Sequence, residues 1–385
     1  MIRLLPLLPA LCLACFAGST LPAADRATDR ATDRAGDRAA EQPHQRLLYY
    51  IDDEGKEQPV RTRHDWEIRR QQILQGMEEA TGALPDRSEL PALDIDVVET
   101  IQGDGYQRQT VRFTTEPGDR LTAYLYLPDG ASADDPRPGV VALHPTHRIG
   151  KGVVDGQSER PNRAYGKELA ERGYVVIAPD YISFGDAADY DFENDRYRSG
   201  TMKGIWNHMR CVDLLQQRED VIGEKIGTIG HSLGGHNAIF LGAFDQRVQA
   251  IVSSCGWTPF HDYYGGKIAG WTSPRYMPSL KTDYELDPDR VPFDFYELIA
   301  ALAPRPFFSN SPLHDSNFDY RGVEKAAPQA RRIYELYDAA NNLRIAYPNA
   351  QHDFPPAVRF ESYRFLDEHL GHKPRNSNAA AGSDG

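Results

Sequence analysis

Cysteine is scarce in this 385-residue chain: there are four, and two of them, Cys12 and Cys15, fall in its apolar opening. That excludes a disulfide scaffold. The other pair, Cys211 and Cys255, lacks metal-ligand spacing and reads as two separate buried thiols. Positive charge is short as well. Lys and Arg number 43 against 56 Asp and Glu, a formal net charge of −13, which argues against a dedicated binder of nucleic acid or of an anionic membrane. No apolar run is long enough to span a bilayer. Glycine and proline, 32 and 27 residues, follow no period, so a collagen-like or coiled-coil rod is excluded too. What the chain has in quantity is apolar bulk. With 20 Tyr, 15 Phe and 40% hydrophobic residues it is no disordered polymer, and it can bury one large core or two ordinary ones.

The opening has the grammar of an export signal. Arg3 supplies a positive charge, Leu4–Phe16 the apolar stretch, and Gly18–Ala24 the small residues where a signal peptidase cuts. Residues 1–24 are therefore expected to be a signal peptide, and the mature protein to be periplasmic or extracellular. Asp25–Arg38 repeats Asp-Arg-Ala with no apolar stripe, so residues 25–61 are expected to form a low-complexity tether and leader. The small, polar stretch 373–385 is expected to be a disordered tail. The folded domain should lie between, at 62–372.

Within it, Trp66, Ile73, Leu74, Met77 and Ala80 recur at helical spacing and predict a helix over 62–83. Three extended segments follow, 93–101, 106–115 and 121–127. In the third, Leu121, Ala123, Leu125 and Leu127 alternate, as antiparallel strands with one exposed face do. Then the pattern changes. Short apolar runs at 139–143, 174–178, 225–229, 248–254, 306–310 and 343–347 read as buried strands. Helical patterns lie between most of them, at 162–172, 201–218, 233–243, 293–301 and 323–339, with a last helix at 358–370. This alternation predicts an α/β fold: a mostly parallel sheet with helices on both faces, preceded by antiparallel strands. Trp257–Pro292 interrupts it, long, aromatic and rich in Pro and Gly, and reads as a lid inserted over the carboxyl edge.

The chemistry concentrates in Gly230-His231-Ser232-Leu233-Gly234-Gly235, between the strand pattern 226–229 and the helix pattern 233–243. A nucleophile on such a turn needs a strained backbone, and glycines beside it because Cβ atoms there would strike neighbouring chain. Ser232 is thus the candidate nucleophile. A serine hydroxyl needs a histidine base, which belongs on the loop after the last strand, and His352 lies there. The acid that orients it belongs after the preceding strand, where Asp315 comes first and Asp319 is the competitor. The oxyanion hole needs two backbone N–H donors. Leu233 is one candidate; Thr146 is the other, with His147 behind it, since Pro145 has no N–H.

Together these residues resemble the α/β-hydrolase superfamily. Arg120-Leu-Thr-Ala-Tyr-Leu-Tyr-Leu-Pro128, His144-Pro-Thr146 and His352-Asp-Phe-Pro355 resemble its dienelactone hydrolase and acetyl xylan esterase-like branches. The likeness spans about Leu93 to Leu370. It departs from the commoner His-Gly oxyanion loop at His144-Pro145, and has serine where dienelactone hydrolases proper carry cysteine. It implies an esterase acting on a small-molecule or carbohydrate ester, with no metal or organic cofactor required and no nucleic-acid or membrane partner. A serine peptidase of prolyl-oligopeptidase type and an inactive hydrolase-fold binding module are the alternatives. Against the peptidase, too few residues precede the first strands for a gating propeller.

Overall fold

The computed structural model describes residues 46–374. The expected signal peptide, the Asp-Arg-Ala repeats and most of the expected tail lie outside the described residues.

The described chain opens with a hairpin, β1 (Tyr49–Ile51) and β2 (Glu57–Pro59). This corrects the expectation that the leader extends to residue 61. Leu47 and Val60 are buried, and Arg69 stacks over the Tyr49 ring, so the segment has an apolar anchor that its polar composition hides. Helix α1 (Arg63–Thr81) starts where its capping box dictates: Thr62 accepts the Asp65 N–H, and the Asp65 carboxylate accepts that of Thr62.

The rest is built on one nine-stranded sheet. Its strands are β3 (Asp96–Gln102), β4 (Tyr106–Glu116), β5 (Asp119–Pro128), β6 (Arg137–Leu143), β7 (Val175–Pro179), β8 (Val221–His231), β9 (Val248–Ser254), β10 (Phe307–Asn310) and β11 (Leu343–Ala346). Their order across the sheet is β11-β10-β9-β8-β6-β7-β5-β4-β3. β3, β4 and β5 pair antiparallel and join β7 antiparallel; β7, β6, β8, β9, β10 and β11 are parallel. Between and after them come α2 (Tyr165–Glu171), α3 (Gly200–Gln216), α4 (Leu233–Phe244), α5 (Ser279–Thr282), α6 (Phe295–Ala301), α7 (Tyr320–Leu336) and α8 (Pro356–Leu370).

Side chains alternate across the pleat. Val140, Ala142, Val176 and Val252 pack with α2 and α8, while Val141, Leu143, Val175 and Ile251 pack with α3, α4, α6 and α7. That is why the parallel strands read as continuous apolar runs. The edge strand departs from expectation. Every residue of β3 is exposed, Val98 by 66%, because with a single neighbour strand neither face is covered.

After β6 the chain crosses to one side to form β7, then returns to the other side for β8. The connections leaving β6 and β8 therefore part company at the carboxyl edge and open a crevice, where ligands bind in such sheets. The insertion 257–292 packs over this edge, with Trp257, Phe260, Trp271, Met277 and Leu280 buried.

Candidate active site

β8 passes into α4 through Ser232, which is held at φ 56°, ψ −115°. A side chain makes that conformation costly, so surrounding packing must impose it. The glycines show how. A Cβ on Gly230 would lie 2.1 Å from the Gly234 carbonyl oxygen, and one on Gly234 would lie 1.9 Å from that of Leu143. The Ser232 N–H donates to the Ser254 carbonyl at 2.8 Å, tying the turn to the end of β9. His231 and Leu233 are buried, whereas Ser232 between them is only half-buried.

The expected base and acid meet. His352 donates from Nδ1 to Asp315 Oδ2 at 2.8 Å. The Asp315 side chain has 0% exposure and that of His352 25%. Asp315 Oδ1 accepts the N–H groups of Asn317 at 2.8 Å and Phe318 at 3.1 Å, fixing the carboxylate from its other side. The Phe318 ring stacks on the imidazole, centroids 6.0 Å apart and 20° from parallel. Phe318 also borders the cavity that holds Ser232. Arg163 anchors the histidine loop through the His352 carbonyl at 3.1 Å and the Asp353 carboxylate at 2.5 Å. Burial works against ionisation of Asp353, yet Arg163 and Asn162 outweigh it and hold its carboxyl below the usual range. Asp319 is occupied elsewhere: it caps α7 and pairs with Arg321.

Leu233 is the first residue of α4, where N–H groups have no partner within the helix. Thr146 borders the same cavity. The peptide before it is held by His144, which chain order places facing the site. Buried His144 accepts the Tyr181 N–H on Nε2 at 2.9 Å and donates from Nδ1 to the Pro145 carbonyl at 2.7 Å. In the trans peptide that follows, C=O and N–H point opposite ways, so the Thr146 N–H faces away from His144. The clamp needs one donor nitrogen and one acceptor, hence a neutral ring, and burial pushes the His144 pKa down. His147, the competing donor, accepts the Ile149 N–H on its ring at 3.4 Å. Farther along this loop, Lys151 donates to Asp180 from its N–H at 2.8 Å and from Nζ at 2.6 Å.

Cys255, read from the sequence only as a separate buried thiol, lies beside the acid and its histidine. It sits at φ 48°, its thiol donates to the Asp353 carbonyl at 3.3 Å, and burial pushes its pKa well up. Cys255, Asp315 and His352 offer ligand atoms within 4.8 Å of one another, so a cation bound there would compete for the Asp315–His352 hydrogen bond. Cys211 is also a free buried thiol, in agreement with the expectation of two unpaired cysteines.

Ser232 opens on a cavity of about 110 Å³, bordered by Thr146, Leu233, His236, Tyr263, Trp271 and Tyr276 as well as Phe318. The lid aromatics thus divide: Trp257 and Phe260 pack inward, while Tyr263, Trp271 and Tyr276 reach the cavity. A model of the alpha/beta hydrolase family matches residues 161–370, and one of the Abhydrolase family matches residues 44–256. The chain belongs to the α/β-hydrolase family.

The chain is 26% identical over 311 residues to YtaP of Bacillus subtilis (strain 168), a protein named as a hydrolase, covering 75% of this chain and 96% of that one. It is 24% identical over 327 residues to the carbohydrate esterase MZ0003 of an unknown prokaryotic organism, covering 72% and 75% respectively. The solved glucuronoyl esterase from Solibacter usitatus superposes with a TM-score of 0.63 at 19% identity, over 86% of this chain and 99% of that one. At that identity the likeness speaks for the fold. Among the described residues no helix is long and apolar enough to cross a membrane.

Proposed function

We propose that this α/β-hydrolase is an exported serine esterase that cleaves small acyl or carbohydrate esters through an acyl-enzyme. The observation that carries the reading is the strained Ser232 turn. It opens on a cavity bordered by Phe318, whose ring stacks on a histidine paired with a buried aspartate. The carbohydrate esterase and glucuronoyl esterase likenesses support an ester substrate, and the signal-peptide-like sequence of residues 1–24 supports export.

Ser232 Oγ bonds to the ester carbonyl carbon as its proton passes to His352 Nε2. Asp315 stays ionised, holds Nδ1–H and stabilises the imidazolium. The Leu233 and Thr146 N–H groups receive the oxyanion, aided by the positive end of α4. As the tetrahedral centre collapses, the carbon–alkoxide bond breaks and His352 returns the proton to the leaving alcohol. Water then repeats the sequence on the acyl-enzyme, releasing the acid and freeing Ser232.

The test is a fluorophosphonate probe followed by peptide mapping, with short-chain ester assays alongside. Wild type should be labelled at Ser232 and turn over; Ser232→Ala should lose both while keeping its Tm. An unlabelled wild type that hydrolyses no ester would leave the strained turn without a catalytic purpose.

A further inference from the structure

One histidine beside the nucleophile takes no part in the steps above. His236 lies one helical turn beyond Ser232, its N–H bonded to the Ser232 carbonyl at 3.1 Å, and it borders the same cavity. The residue is 5% exposed, and neither ring nitrogen has a hydrogen-bond partner among the described residues. The indole Nε1 of Trp271, 3% exposed and also on the cavity wall, is unpartnered as well. The two rings meet edge to face, centroids 4.8 Å apart. Three polar nitrogens, on two residues of one cavity wall, are therefore without a hydrogen-bond partner among the described residues. Leaving a buried donor or acceptor unmade costs roughly 1–3 kcal/mol each. Such a cost is understandable where a substrate supplies the missing partner.

The chemistry of that partner follows from the groups that wait for it. Burial pushes the His236 pKa down to about 3, so the ring is neutral, with one N–H donor and one bare acceptor nitrogen. The indole adds a second donor. A hydroxyl is a small neutral group that both donates and accepts. Thr146 and Tyr276 contribute hydroxyls of their own, 3.4 Å apart, and among the described residues that border the cavity none has a charged side chain. An acyl group carrying a free carboxylate would be desolvated there without a counter-charge. Aromatic rings flanking polar nitrogens suit the apolar faces and hydroxyl edges of a sugar.

We infer that His236 and the Trp271 indole N–H recognise a hydroxyl of an uncharged, hydroxylated ester, a sugar ester, in the cavity beside Ser232. This rests on the esterase reading, and the experiment separates the two. Wild-type enzyme is assayed on an acetylated methyl xyloside, on its deoxy analogues, on cyclohexyl acetate and on monoethyl succinate, with fluorophosphonate labelling run in parallel. kcat/KM should fall at least about tenfold when the recognised hydroxyl is removed, and the anionic half-ester should be the poorest substrate. His236→Phe should erase most of that preference, and His236→Gln, which keeps a donor and an acceptor, should restore part of it. A wild type that labels at Ser232 yet treats the xyloside and its deoxy analogues alike would overturn the inference and leave the esterase standing. So would a His236→Phe enzyme whose loss is the same on every ester. A wild type that takes no label would remove the reading beneath it.

Discussion

Asp315 and Asp319 stand four positions apart on one loop, and their neighbours assign them different work. Asp315 has 0% side-chain exposure, accepts two backbone N–H groups on one oxygen and His352 on the other. Asp319 caps α7 and holds Arg321. Asp315→Asn turns an amide toward the imidazole and favours the tautomer that cannot take the Ser232 proton, so kcat should fall by about 10⁴. Asp319→Asn keeps a capping oxygen and should leave kcat alone; Asp319→Ala should lower stability by roughly 0.5–2 kcal/mol at unchanged kcat. Steady-state kinetics and thermal melts on the three variants decide it, and a reversed pattern would hand the role to Asp319. This ambiguity marks how far the site was legible. Ser232 and His352 follow from a glycine-flanked turn and from position after the last strand. Which aspartate turns inward depends on the Asn317 and Phe318 N–H groups, and chain order is silent on that. The place of Cys255 beside the acid was illegible for the same reason, since the Asp315 carboxylate reaches it only in three dimensions; chain order put His144 facing the site, but the Tyr181 N–H that fixes its ring comes from 37 residues away.

At the scale of elements, patterns set by burial on both faces were readable and patterns set by a single anchor were not. β9 begins and ends at the residues its apolar run marks, because α-helices cover both its sides. The β1–β2 hairpin escaped notice because Leu47 and Val60 are too few to make a period. Helix α1 shows how an amphipathic pattern understates what an element does. Its Arg70, 7% exposed, donates to the Ala301 carbonyl at the end of α6 (3.0 Å) and to the Ala243 carbonyl near the end of α4 (2.8 Å). Those are carbonyls that helix ends leave without partners. Arg70→Met should leave both unsatisfied and destabilise the fold by roughly 2–4 kcal/mol. The site should be spared, because α4 holds Ser232 at its other end, about 18 Å away. The expected result is a lowered denaturant midpoint with kcat within twofold of wild type. A large loss of kcat at full stability would mean that α1 reaches the site by some other route.

For the whole folded body, the buried histidines set a common dependence on acid. His144, His208, His231 and His236 are all buried, and burial pushes each pKa down, to about 3 for His208 and for His236. In the unfolded chain each would titrate near 6.5. Below that pH the unfolded state binds protons that the folded state refuses, so stability must fall as pH falls from about 6.5 toward 3. His208 and His236 should each remove about 2 kcal/mol between pH 7.5 and 5. Carboxylates with depressed pKa values, Asp119, Asp213 and Asp353 among them, act in the same direction, but only as pH approaches their unfolded value of 3.8. Above pH 5 the four histidines act together, opposed by Asp294, whose pKa burial pushes well up so that it gains a proton in the folded state as pH falls. Urea midpoints at pH 7.5, 6 and 5 should decline steadily while m stays constant. His208→Leu packs the same interior without a titrating group, so its midpoint should decline less steeply, by the slope of one proton. Midpoints that do not change from pH 7.5 to 5, or a His208→Leu variant as acid-sensitive as wild type, would mean that these rings gain protons inside the fold at little cost.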